Sequence, residues 1–509
     1  MSILVYNFGG QYAHLIARRV RELGVYSEIV SSATTASEAK KFSPTGIILS
    51  GGPCSVYDEG SPKLDGKIFS LGVPILGICY GHQLLAHSLG GVVSGGKSKE
   101  FGKQEVFLDK SVLFEEITSP QTVWFSHGDE VKTLPEGFTK IASSQTCSNA
   151  AMQDVERKFF GLQFHPEVVH TPCGKKILEN FLFKVCACQK TWRVGEQSEQ
   201  FISSLQKQVG KEKVVIGISG GVDSLVAATL LHKAIGKQLY CVLIDHGLMR
   251  KNEIALVEER LKKQGFENLV VQDARSDFLS ALAGVTDPEE KRKLIGHTFI
   301  AVFEKVAARL EEKEGIRFLA QGTIYPDRIE SAQSSNAAKI KSHHNLTLPE
   351  KMKFQLIEPL KEFYKDEVRE LGGKLGLPRE LLDRHPFPGP GLAIRVLGEV
   401  TEERLHILRE ADAIYLEELK KSGWYNKVWQ AFAALLPVKS VGVMGDARTY
   451  DYIISLRAVD SVDGMTADWS RLPPELLEKI SSRIVNEVRG VNRVLYDVTT
   501  KPPGTIEYE

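Results

Sequence analysis

Apolar and polar positions along the first third of the chain follow two periods in turn. Short β-branched runs at Ile3 to Tyr6, Gly46 to Ser50 and Val73 to Ile78 enclose a stretch in which Leu15, Ile16, Val20 and Leu23 recur at helical spacing. Strands alternating with an amphipathic helix predict a βαβ layout and a parallel sheet. Turn signals at Ser50-Gly51-Gly52-Pro53 and Gly90-Gly91 punctuate it, and apolar runs at Val123 to Phe125 and Phe160 to Phe164 carry it to about residue 190.

A second alternating series follows the polar stretch Arg193 to Gln200. Val214 to Ile218, Leu239 to Ile244, Leu269 to Val271 and Phe318 to Ala320 read as strands, and Ser224 to Lys233, Glu253 to Gln264 and Pro288 to Lys313 as helices. The prolines and glycines between Arg384 and Gly391 break any regular element, so a boundary is expected there. Beyond it Ala393 to Leu397, Lys439 to Met444, Tyr450 to Val459 and Val491 to Val498 read as strands, and Thr401 to Lys421 and Pro474 to Arg489 as helices. The expected fold class is α/β: two doubly wound, mostly parallel-sheet domains at residues 1–192 and 193–384, then a smaller α+β domain at 385–509.

Composition narrows the classes. Lys plus Arg equals Asp plus Glu at 64 each, so no whole-chain charge favours nucleic acid or an anionic membrane. Seven cysteines in 509 residues suit a reducing compartment rather than a disulfide scaffold. The start lacks a basic region before an apolar stretch, and no run approaches the ~20 apolar residues of a membrane span. A cytoplasmic protein is expected, and Asn345-Leu346-Thr347 is then a chance match to the glycosylation pattern.

The first chemical constellation is a thiol. Gly77-Ile78-Cys79-Tyr80-Gly81 follows an apolar strand and precedes a helical stretch, the setting of a nucleophile elbow with Cys in place of Ser. There the sulfur faces a helix N-terminus, whose free N–H groups favour a thiolate and can hold an oxyanion. Phe164-His165-Pro166-Glu167 supplies a base: residues two apart in extended chain share a side, so Glu167 reaches the His165 ring and fixes its tautomer.

These residues resemble the class I glutamine amidotransferase domain over about residues 1 to 190. The resemblance implies that Cys79 attacks a glutamine side-chain amide, His165 carries the protons and Glu167 holds it. It also makes Ser50 to Pro53 an oxyanion turn and Ser126 to Asp129 a substrate-side loop, with Gly52, Tyr80, Gln83, His127 and Asp129 as oxyanion or glutamine contacts. Gly91 to Ser98 satisfies the Walker A pattern, but it follows a helix and leads into strand, the reverse of what phosphate cradling needs.

The second constellation is a glycine turn. Ser219-Gly220-Gly221-Val222-Asp223-Ser224 lies between the strand ending at Ile218 and a helix, so its N–H groups form an anion cradle, its serines donate to phosphate oxygens and Asp223 can hold Mg2+. It resembles the PP-loop of N-type ATP pyrophosphatases, which adenylylate an acceptor oxygen. Asp245 and Gln321-Gly322-Thr323 sit at carboxyl ends of neighbouring strands, where open parallel sheets bind ligands. By the same resemblance Asp327 and Glu330 assist Mg2+ and phosphate binding.

The segments Arg384 to Arg395, Val441 to Tyr450, Met465 to Trp469 and Lys501 to Glu507 resemble the dimerisation domain of glutamine-hydrolysing GMP synthetases. That resemblance implies a homodimer that takes glutamine, ATP and xanthosine 5′-monophosphate (XMP), adenylylates the C2 oxygen of XMP and displaces AMP with ammonia. It assigns Arg292, Gln430, Arg493, Lys501, Ile506 and Glu507 to XMP, and Lys341, His343, His344, Asn345, Lys365 and Asp366, with Asp327 and Glu330, to a mobile lid and its companion loop. After Asn345 the family's paired glycines are replaced by Leu346-Thr347-Leu348-Pro349, a stiffer lid. Another PP-loop ligase would share the first two constellations but not the C-terminal segments. A tRNA-thiolating enzyme would need a Cys-x-x-Cys pair and a basic surface, whereas Cys186-Ala187-Cys188 has another spacing and reads as structural. A non-catalytic scaffold would have lost a reacting group, and none is lost.

Overall fold

The computed structural model describes residues 2–10, 12–196, 198–333, 354–461, 464 and 466–509. They form two compact units, Met1–Arg193 and Val194–Glu509. In the first, strands Ser27–Ser31, Ser2–Asn7, Pro44–Leu49, Ile75–Ile78 and Phe159–Leu162 lie side by side and parallel. The sheet then continues antiparallel through Ala151–Asp154, Thr139–Ser144, Val92–Leu108 and Gln121–Thr133. The parallel strands are buried along nearly their whole length, as strands covered on both faces must be. Residues 92–108 are strand throughout, so the Walker-like pattern opens no helix.

The second unit holds a five-stranded all-parallel sheet in the order Leu269–Asp273, Leu239–Asp245, Lys213–Ile218, Ile316–Ala320, Gln355–Ile357. A second sheet pairs the long strands Gln430–Met444 and Ala447–Asp460 antiparallel, with Asp468–Trp469 and Val491–Tyr496 both on the latter. One apolar core crosses position 384: Val242 and Phe303 from the parallel sheet and its helix join Leu408, Tyr415 and Ile454 from beyond it.

Two expectations are corrected. Ala393 to Leu397 is no strand: Gly391–Ile394 is a single 3-10 turn, and only Val396 makes a bridge, to Leu435. Gly391 forces this, because its φ of +65° turns the chain and a Cβ there would lie 2.4 Å from the Leu248 carbonyl oxygen. Ser126 to Asp129 lies inside the strand Gln121–Thr133 rather than in a loop.

A shared core makes a testable demand. Leu408 is fully buried within it, so Leu408→Ala should cost about 2–5 kcal/mol. Hydrogen exchange at Val242 and Ile454 should speed up together; acceleration confined to residues beyond 384 would show two independent cores.

Candidate active site

Adjacent parallel strands bring the thiol and the imidazole together. Ile78 of Ile75–Ile78 pairs with Leu162 of Phe159–Leu162, so Cys79 and the segment leading to His165 leave the sheet side by side. The turn after Ile78 is tight enough that a Cβ on Gly77 would meet Gly81 O at 2.4 Å, and one on Gly81 would meet Leu49 O at 2.2 Å. Cys79 takes the strained backbone at φ 53°, ψ −107° and caps the helix Tyr80–Ser88. Its N–H donates to Leu162 O at 2.7 Å, whereas the N–H groups of Gly52 and Tyr80 donate to nothing among the described residues. Those two amides remain for an oxyanion.

His165 and Glu167 are almost wholly buried, with Nδ1 to Oε1 at 2.7 Å. The other carboxylate oxygen, Oε2, has no hydrogen-bond partner among the described residues, so the ring holds the carboxylate's one bond. Burial pulls the ring's pKa down, but the Glu167 carboxylate and Cys79 outweigh it and hold the imidazole well above its ordinary value. The backbone is clamped as well: His165 N–H donates to Trp124 O at 2.9 Å, and Thr171 Oγ1 donates to His165 O at 2.7 Å. A Cβ on Gly51 would lie 3.2 Å from His165 Cε1 and 3.7 Å from Cys79 Cβ, so the Ser50 to Pro53 turn borders the reacting pair.

The proposed glutamine contacts divide. Gln83 Nε2 donates to Asp129 O at 2.8 Å, fixing the strand, and Tyr80 OH donates to Pro62 O at 2.6 Å. The Asp129 carboxylate accepts from Tyr57 OH at 2.8 Å and from Ser55 Oγ. Burial holds His127 down to about 4, hence neutral. Sequence reasoning passed over Gln163, fully buried, whose Nε2 lies 4.0 Å from Cys79 Sγ; it stands two residues before His165, a period-two signal that could have found it.

In the second unit three neighbouring strands end at one edge: Ser219 follows Lys213–Ile218, Asp245 ends Leu239–Asp245 and Gln321 follows Ile316–Ala320. Gly220 has φ +76°, and Gly221 caps the helix Val222–Ile235. The Ser219 and Ser224 hydroxyls lie 3.1 Å apart, and Gly221 N–H donates to Ser219 Oγ at 3.3 Å. A Cβ on Gly322 would come within 3.4 Å of Ser224 N, so Gly322 lies against the first turn. Asp223 pairs with Lys365 at 3.5 Å through Oδ2, while its buried Oδ1 has no partner among the described residues. A buried carboxylate oxygen left over beside a phosphate-type cradle fits a divalent cation. Groups of three or more candidate metal ligands are absent among the described residues, so such an ion would take its remaining ligands from phosphate and water.

Asp245 accepts from Gly247 N–H at 3.0 Å, and Asp327 from Ile324 N–H at 3.3 Å in the first turn of Tyr325–Gln333. Thr323 is buried, and Asp366 stands in the first turn of Lys365–Lys374. Lys341, His343, His344 and Asn345 lie outside the described residues, as does the side chain of Glu330. Of the nucleotide candidates, Gln430 Nε2 donates to Glu507 Oε1 at 2.7 Å, and Ile506 packs with Phe432 and Val459. Arg292 donates to Glu509 O at 2.5 Å, Lys501 to Gly464 O at 2.8 Å and Arg493 to Ser440 Oγ at 3.4 Å. No hydrogen bond or ion pair among the described residues joins Arg493 or Lys501 to the Gln430–Glu507 group.

Removing the carboxylate isolates its effect. Glu167→Gln keeps the packing and removes the charge, so His165 should lose its proton at lower pH than in the unaltered protein. Glutaminase kcat should fall by about 10^2–10^4-fold. NMR titration of labelled histidine checks the first result, and an unchanged His165 titration would contradict it.

Comparison with known proteins follows the same division. Residues 4–185 match the family described as glutamine amidotransferase class-I, 194–272 NAD synthase, and 417–508 the GMP synthase C terminal domain. Proteins named glutamine-hydrolyzing GMP synthase from Carboxydothermus hydrogenoformans, Aquifex aeolicus and Clostridium botulinum are 58%, 56% and 55% identical. Each alignment covers 100% of this chain and 99% of the relative. The chain belongs to the glutamine-hydrolysing GMP synthase family.

Proposed function

We propose that the two centres divide glutamine-dependent GMP synthesis between them, in three functional segments at 1–192, 193–384 and 385–509. The observation that carries the assignment is Cys79 on a strained elbow beside the buried His165–Glu167 pair. Cys79 Sγ attacks the glutamine amide carbon while the Gly52 and Tyr80 amides receive the oxyanion. His165 Nε2, the ring nitrogen left free by Glu167, delivers a proton to the leaving nitrogen, and ammonia departs from a glutamyl thioester. Water, deprotonated by the same imidazole, then frees glutamate. His127, Asp129, Tyr80 and Gln83 shape the glutamine pocket.

At the second centre the C2 oxygen of XMP attacks the α-phosphorus of ATP, pyrophosphate leaves, and ammonia then displaces AMP from C2 to give GMP. The N–H groups of Gly220, Gly221 and Val222 and the hydroxyls of Ser219 and Ser224 hold the phosphates; Asp245, Gly322 and Thr323 border the nucleotide. Asp223, whose Oδ1 lacks a partner among the described residues, would hold Mg2+, with Asp327 and Glu330 assisting as the family resemblance implies, and the bound ion would supply charge neutralisation for a departing pyrophosphate. Arg292, Gln430, Arg493, Lys501, Ile506 and Glu507 receive XMP. By the family resemblance the lid positions are Lys341, His343, His344 and Asn345, which lie outside the described residues, together with Lys365 and Asp366.

The protein works as a homodimer. Support comes from the hairpin of Gln430–Met444 and Ala447–Asp460, where cross-strand partners Val441 and Tyr450 are 59% and 65% exposed and Val443 is 73% exposed. Adjacent exposed apolar residues of this kind fit a self-association surface.

Two experiments test these readings. Cys79→Ala should abolish glutamine-dependent GMP formation and leave synthesis from ammonium salt intact, whereas Asp223→Asn should stop both. Loss of both in Cys79→Ala would sink the two-centre assignment. Val443→Asp should convert a dimer to monomer in sedimentation, and an unchanged mass would remove the hairpin from the interface.

A further inference from the structure

The proline-glycine segment that ends the parallel-sheet region begins with a charged residue that reaches back to the phosphate loop. Arg384 donates through one terminal nitrogen to Gly220 O at 3.1 Å, and through the other it pairs with Glu253. Glu253 is buried in the first turn of Glu253–Lys263, and its Oε2 also accepts from Arg250 N–H at 3.3 Å. In a trans peptide C=O and N–H point in opposite directions. Holding Gly220 O toward Arg384 therefore aims Gly221 N–H toward the Ser219 and Ser224 hydroxyls, the side where phosphate would lie. Both residues of that peptide are glycine, and Gly220 is at φ +76°, so without an anchor this peptide would flip easily.

The next residue is anchored to the other side of the reaction. His385 Nδ1 accepts from Ala431 N–H at 3.2 Å, its Nε2 donates to Tyr425 O at 2.7 Å, and its ring stacks on Tyr425 at 3.9 Å. Burial holds the ring down to about 4, so this one tautomer persists at neutral pH. Ala431 adjoins Gln430, whose amide donates to Glu507 Oε1 at 2.7 Å and to Pro386 O at 3.2 Å. Two consecutive residues thus connect the Gly220 peptide to the strand that carries Gln430.

We propose that Arg384 is a positioning residue that fixes the orientation of the Gly220–Gly221 peptide for ATP, and that through His385 it carries XMP occupancy at Gln430 and Glu507 to the phosphate loop. The inference rests on the assignment of ATP and XMP to these residues, and its test is separable from that assignment. Full-length Arg384→Ala is assayed for ammonia-dependent GMP synthesis while ATP and XMP are titrated in turn. KM for ATP should rise about tenfold or more, as loss of a charge-assisted hydrogen bond implies, while KM for XMP at saturating ATP rises by no more than the lost coupling factor, about fivefold. Arg384→Lys, which can reach one acceptor of the two, should restore part of the loss. Unchanged hydrogen exchange at Val242 and Ile454, in the core of the second unit, reports that the variant is folded, and Glu253→Gln provides a milder perturbation of the same anchor.

Coupling is read from binding of a non-hydrolysable ATP analogue. XMP should tighten it about fivefold or more in the unaltered enzyme, within the usual range of such effects, and by less than about twofold in Arg384→Ala. An ATP KM unchanged in folded Arg384→Ala overturns the positioning role. XMP tightening that is absent from the unaltered enzyme, or retained in the variant, overturns the coupling. An unaltered enzyme that makes no GMP from XMP would instead overturn the assignment beneath both.

Discussion

Leu49 O, Gly81 and Gly77 approach one another so closely that a Cβ on either glycine would collide with backbone at 2.2–2.4 Å. The chain therefore turns from strand to helix at one residue, and that residue, Cys79, absorbs a backbone conformation unfavourable to any side chain. Because the next strand in the sheet is Phe159–Leu162, the imidazole arrives on the same edge. Shifting the register of that pair by a residue would turn His165 away from the sulfur. The chemistry of the first unit is thus a consequence of one crowded turn and one strand pairing.

The second unit solves a different problem with the same geometry. Phosphate needs several N–H donors aimed at one point, and the end of the strand Lys213–Ile218, followed at once by the helix Val222–Ile235, provides them. Neighbouring strands bring Asp245 and Gln321 to the same edge. Free ammonia is mostly protonated near neutrality, so a nucleophile made by one centre serves the other more efficiently when it avoids bulk water, where only the small unprotonated fraction reacts. That advantage gives a physical reason for both chemistries to occur in one polypeptide.

Features set by a few consecutive residues were readable from sequence. The Gly77 to Gly81 elbow, the His165–Glu167 pair and the Ser219 to Ser224 loop each encode their geometry locally, and the alternation of strand and helix around them announced parallel sheets. What depends on distant partners was not readable. Gln430 to Leu436 shows no period-two alternation because Ala431, Phe432, Ala433 and Ala434 are all fully buried, so half of the long strand escaped notice. The strand through Ser126 to Asp129 owes its continuation to pairing with Val92–Leu108. Arg395, fully buried and donating twice to Glu507 at 2.8 and 3.0 Å, and Arg384 on the Gly220 carbonyl are bonds across more than 100 positions of chain. A boundary placed at 384 from prolines and glycines alone does not reveal that the apolar core runs past it.

The central claim is that ATP primes the C2 oxygen of XMP by transfer of an adenylyl group. XMP carrying 18O at C2, incubated with enzyme, ATP and ammonium salt, separates the possibilities by mass spectrometry of the products. The account predicts that the heavy oxygen leaves in the phosphate of AMP as GMP accumulates. Heavy oxygen in inorganic phosphate or pyrophosphate, with AMP unlabelled, would contradict it.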